Sequence, residues 1–84
     1  MASTRDRVRI EAIAETQRLR NSVNGNPRFK VTMLMPDGTV WTAQTQSDSY
    51  VAYDIENSDN WGVPLWVDFN GQGKITAVHP VQGV

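Results

Sequence analysis

This 84-residue sequence predicts an α+β domain, a helix over 3–20 followed by two β-hairpins that flank a short helix. Three observations carry the prediction. Met35-Pro36-Asp37-Gly38-Thr39 and Asn70-Gly71-Gln72-Gly73-Lys74 each sit between alternating apolar runs and read as hairpins closed by three-residue loops. Arg7, Glu11 and Glu15 follow one another at i+4, with Arg18 three further on, as on the solvated face of a helix. Ser47 or Asp48 stands where an N-cap is needed before Val51 and Ile55. The order α-β-β-α-β-β then suggests a four-stranded antiparallel sheet or a small open barrel within a single domain, 1–84.

Each element has its own reason. Ser3 or Thr4 caps the predicted first helix, and Asp6 favours its first turn. Val8, Ile10, Ala12, Ile13, Ala14 and Leu19 give it a loose apolar stripe for docking on a sheet. Asn24-Gly25-Asn26-Pro27 makes 21–27 a connector. Strands follow at 28–35 and 39–46, with Met33 opposite Trp41 and Val31 opposite Ala43. The short helix runs to Asn57. Further strands at 63–69 and 74–79 pair Val67 with Ala77 and Trp66 with Val78, and a mobile tail follows at 80–84.

Composition narrows the function. There is no cysteine, so neither disulfides nor a thiolate metal site supplement a core of marginal size. The chain has no apolar run of membrane-spanning length and no signal-peptide pattern, which leads us to expect a cytoplasmic protein without membrane contact. Net charge is −1. It is unevenly spread: Arg5, Arg7, Arg9, Arg18 and Arg20 outweigh Asp6, Glu11 and Glu15 in the first segment, and carboxylates prevail in the rest.

Catalysis needs a positioned base, nucleophile or metal. His79 is the only histidine and reads as the frayed end of a strand. Asp54 and Glu56 lie two apart on a helix and face different directions. Capping accounts for Ser47, Asp48 and Ser49, and the Asn70–Gly73 loop lacks the helix that a phosphate loop requires. The chain therefore reads as a non-enzyme with no cofactor and no metal.

Binding is the better-supported expectation. Phe29, Val31, Met33, Trp41 and Ala43 share one face, as do Leu65, Val67, Phe69, Ile75 and Ala77, and these form the predicted core. Leu34, Trp66 and Val78 fall on the opposite parity, beside Arg28, Lys30 and Lys74. The first helix either covers Trp66 and Val78 or leaves an aromatic anchor exposed. Trp61 either plugs the end of the core or joins the surface. Tyr50 and Tyr53 cannot both face inward with Val51 and Ile55, so at least one is exposed beside Asp54 and Glu56, which favours a protein partner. The candidate partner-binding residues are Trp66, Tyr50, Tyr53, Asp54 and Glu56. The alternative is a nucleic-acid surface of Arg28, Lys30, Lys74 and Trp66. The expected oligomeric state is a monomer or weak homodimer.

Asn24-Gly25-Asn26-Pro27-Arg28-Phe29, Thr45-Gln46-Ser47-Asp48, the Tyr53–Asn57 segment, Gly62-Val63-Pro64 and Gly73-Lys74-Ile75 together resemble short accessory proteins of actinobacterial phages, of the mycobacteriophage type. The resemblance covers roughly residues 21 to 78 and rests on turn and cap residues. It implies a polar helix before two hairpins, and a protein that works in the cytoplasm of the infected bacterial host by binding a host protein. It brings no activity and no site residues.

Overall fold

The computed structural model describes residues 6–81. The chain is mostly β: β1 (Asp6–Ile10), β2 (Ala12–Arg18), β3 (Phe29–Leu34), β4 (Val40–Gln44), α1 (Val51–Glu56), a 3-10 turn at Ser58–Asn60, β5 (Leu65–Phe69) and β6 (Ile75–Pro80). The strands form two three-stranded antiparallel sheets, ordered β1-β5-β6 and β2-β3-β4.

The predicted helix over 3–20 is the main correction, and with it the α+β class and the four-stranded sheet or open barrel. Residues 6–18 are two strands, joined by a bend at Glu11 whose N–H donates to Leu34 O at 2.7 Å. Arg7-Val8-Arg9-Ile10 alternates with period two, and Ile10 is buried while Arg7 and Arg9 are exposed. Partner strands on both sides of the bend outweigh the helix propensity of the segment, because ladder pairing and burial exceed per-residue preference. The expected caps at Ser3 and Thr4 lie outside the described residues. After the bend, an extra residue at Ala14 bulges the β2–β3 ladder between Ile13 and Glu15.

The two sheets close on one core. Ile10, Leu65, Val67, Phe69, Ile75 and Val78 from the first sheet meet Ile13, Phe29, Val31 and Met33 from the second, with Val51, Ala52 and Ile55 of α1 closing one side. A fully buried aliphatic side chain of this kind contributes roughly 1.5–3 kcal/mol. Along another side the sheets meet at a single parallel bridge, Thr45 with Ile75, where Gln46 N–H donates to Ile75 O at 2.9 Å.

Both hairpin turns form as the sequence predicts, with Gly38 at φ +88° and Gly73 at φ +76°. The first keeps the expected register, Met33 with Trp41 and Val31 with Ala43. The second starts in the expected register, with Asn70 N–H donating to Lys74 O, and then shifts. Thr76 is an extra residue, so Val67 pairs with Val78 rather than Ala77, and Trp66 pairs with His79 rather than Val78. The shift buries Val78.

The short helix is shorter than expected. Its first residues are served not by Ser47 or Asp48 but by Ser49, whose Oγ accepts from Val51 N–H at 3.3 Å. At its far end Trp61 Nε1 donates to Ile55 O (2.7 Å), and Asn60 Nδ2 (2.8 Å) joins Asn57 N–H (3.2 Å) in donating to Asp54 O, so side chains help satisfy the carbonyls of the last turn.

Candidate functional site

The connector before β3 and the turn before α1 build one site together. Gly25, at φ +84°, lets the 22–26 segment close on itself: Gly25 N–H donates to Ser22 O, and Ser22 N–H to Asn26 O. The closed turn aims three donors at Asp48. Asn26 Nδ2 (2.8 Å), Asn24 Nδ2 (2.9 Å) and the Ser22 hydroxyl all donate to its carboxylate. Asp48 itself adopts φ +58°, a left-handed conformation that Asp tolerates better than most residues. The three donors, Asn26 foremost, hold the Asp48 carboxyl below the usual carboxylate range. The reading of Asp48 as a helix cap is thereby replaced by a clasp between two loops.

Beside the clasp lies a shallow cleft of ≈190 Å³, lined by Asn26, Asp48, Ser49, Tyr50 and Tyr53. Tyr50 is 87% exposed and Tyr53 50% exposed, so both tyrosines face solvent. Asp54 and Glu56 are exposed on the same short helix, and Glu56 lies 3.9 Å from Arg18. Of the five candidate partner-binding residues, Tyr50 and Tyr53 line the cleft, while Asp54 and Glu56 are exposed on α1 without lining it. The cleft offers two phenol groups beside the fixed amide and carboxylate groups of Asn26 and Asp48.

Trp66, the fifth, stands apart. It is half-buried on the outer face of the first sheet, between Arg9 of β1 and His79 of β6. No helix covers it among the described residues, and it does not share its face with Val78, which points into the core. One row along, Asp68 is only 4% exposed although it faces outward. Arg7 grips it with both arms of the guanidinium, Nε to Oδ1 at 2.7 Å and Nη2 to Oδ2 at 3.1 Å, and His79 Nε2 lies 3.3 Å from Oδ2. The Arg7 hydrogen bond is the main reason the Asp68 carboxyl is held below its usual range, against the opposing effect of burial. Sequence reasoning missed this fastening. The alternation of Arg7 and Arg9 with Val8 and Ile10 was the signal for it, since it places the arginines on the outer face of a strand.

The nucleic-acid candidates are divided too. Arg28 Nη2 (3.4 Å) and Lys74 Nζ (3.3 Å) both donate to Gln44 Oε1, and Lys30 is the cross-strand partner of Gln44. These three cations gather around one amide; Trp66 is on the other sheet.

Trp61 falls between its two readings, its indole N–H satisfied by Ile55 O and the residue 45% exposed. His79 belongs to β6 rather than to a frayed end. Among the described residues no three His, Cys, Asp or Glu side chains cluster as metal ligands, and no helix is long and apolar enough to cross a membrane. Compared with known proteins, the chain matches no family model, no curated protein and no solved structure.

Proposed function

We propose that this chain is a non-enzymatic protein-interaction module that binds its partner through Tyr50 and Tyr53, with Asp54 and Glu56 exposed nearby on α1. The exposure of both tyrosines at the edge of a clasped cleft carries the reading. Tyrosine offers a large amphipathic contact with few rotatable bonds, which is why it recurs at interface anchors. The Asp48 clasp adds preorganisation: one wall of the cleft is already fixed by three hydrogen bonds, so binding orders less of the protein. The exposed carboxylates of α1 suit a partner surface with basic residues. In the setting that the phage resemblance implies, that partner is a protein of the infected bacterium.

A second reading, nucleic-acid binding, draws on the gathering of Arg28, Lys30 and Lys74 around Gln44. One experiment separates the two. The full chain is used to capture partners from actinobacterial lysate with and without nuclease, alongside Tyr50→Ala/Tyr53→Ala and Lys30→Ala/Lys74→Ala variants. Tyr50, Tyr53 and Lys30 are exposed and Lys74 is half-buried, so circular dichroism confirms that each variant is folded before capture. A protein retained after nuclease and lost with the tyrosines supports the module. Retention that fails with nuclease or moderate salt, and with the lysines rather than the tyrosines, replaces it with the nucleic-acid reading.

A further inference from the structure

The four outer strands of the two sheets treat their edges differently. β1 carries Arg7 and Arg9, β2 carries Glu15 and Arg18 and a bulge at Ala14, and β6 ends in His79-Pro80. Charges, bulges and proline are the usual means of keeping a strand from pairing with another chain. β4 has none of them: from Thr39 to Ser47 there is no ionisable side chain and no proline.

The backbone geometry defines what that edge offers. Odd-numbered residues bond inward to β3, as Met35 N–H to Thr39 O and Thr45 N–H to Phe29 O show. Even-numbered residues turn outward, and Gln46 N–H accordingly reaches Ile75 O of β6. Val40, Thr42 and Gln44 continue this outward row, and among the described residues their outward N–H and C=O groups meet no backbone partner. Val40 is 59% exposed, and Trp41 is 47% exposed although it stands across from buried Met33.

We propose that β4 pairs with β4 of a second copy of this chain, antiparallel, with Thr42 on the two-fold axis. The register is self-complementary. It sets Thr42 against Thr42, sets Val40 against the second copy's Gln44, and makes about six backbone hydrogen bonds. Trp41 then lies across from the second copy's Ala43, a large ring against a methyl, on the side where Trp41 is left uncovered. A two-fold axis brings like residues together, so a strand without charge is the kind that tolerates it. The same register carries the turn that holds Asp37 toward the end of the partner strand where Arg28 and Lys74 meet Gln44, so opposite charges approach. β6 at Ile75 limits the contact to the five residues of β4, which makes the association weak and concentration-dependent. This surface is separate from the tyrosine cleft and stands independently of it.

The test is sedimentation of the full chain from micromolar to millimolar concentration, with circular dichroism to check folding. Wild type is expected to pass from monomer to dimer. Thr42→Lys and Thr42→Glu place like charges at the axis and are each expected to weaken association at least about tenfold. Their equimolar mixture is expected to restore it, because the axis then holds opposite charges. Trp41→Ala is expected to weaken it without such rescue. A wild type that stays monomeric throughout, or a dimer that Thr42→Lys leaves unchanged, overturns the proposal.

Discussion

The two hairpins begin alike and end differently. Both close through a three-residue loop with glycine at a positive φ, and both start with the pair that the turn dictates. In β3–β4 that register runs the whole length. In β5–β6 it lasts until Thr76, where an extra residue shifts every later pair. A turn fixes the first rung of a ladder. Burial decides the rest, and without the bulge Ala77 would take the place in the core that Val78 fills. The Thr76 hydroxyl accommodates the extra residue by donating to Asp68 O at 3.2 Å.

The largest expected effect tests that account directly. Val78→Ser should cost about 2–3 kcal/mol, because it removes apolar volume from a filled core and buries a hydroxyl. Ala77→Ser, one residue away, should cost under about 0.5 kcal/mol. Equal costs in urea unfolding, or the reverse order, would restore the unshifted register.

Next comes the fastening at Asp68, which Arg7 makes across β1–β5 and to which the shift adds His79. Asp68→Asn should destabilise the protein by about 2 kcal/mol near neutral pH, the scale of lost hydrogen bonds to a buried charge. The pH dependence has a definite sign. The folded carboxyl is held below its unfolded value, chiefly by Arg7. Its contribution is therefore fully present above the ordinary carboxylate pKa of about 4, and is lost as the pH falls through the lower folded value. The gap between Asp68→Asn and wild type should narrow in acid urea titrations. A gap that stays constant down to pH 2 would mean that the charge of Asp68 contributes nothing.

The smallest effect sharpens the likeness of the two turns. Gly38→Ala and Gly73→Ala should each cost about 1 kcal/mol, from the positive φ alone. An added Cβ meets nothing within 4 Å at either site, so steric crowding does not enter. Unequal thermal shifts would show that the two turns are not interchangeable.

Both turn signatures were legible in the sequence, together with the inner face of β3, the burial of Val51 and Ile55, and the exposure of tyrosine on the short helix. These features are local: each depends on a few neighbouring residues and their chirality. Residues 6–18 were misread because charges at i+4 are equally consistent with a strand that bends and bulges. The period-two run from Arg7 to Ile10 is too short to outweigh that spacing. Trp41 was expected in the core because its parity is right, and parity does not say which strand is outermost. The Asp48 clasp and the Asp68 fastening join residues from distant segments, and nothing in the neighbouring residues announces such pairs.

The bend at Glu11 has a consequence for how the molecule comes into being. β1 pairs with β5, and Arg7 grips a residue 61 positions further on. The second sheet needs only residues up to Gln44, so it can assemble while the chain is still being made. The first sheet cannot. Its N-terminal strand must wait, with its apolar side uncovered, until the last hairpin has left the ribosome. Such late, long-range closure is the slow kind. Synthesis and folding are thus set in opposite order: β1 is made before the other described strands and is among the last of them to find its place.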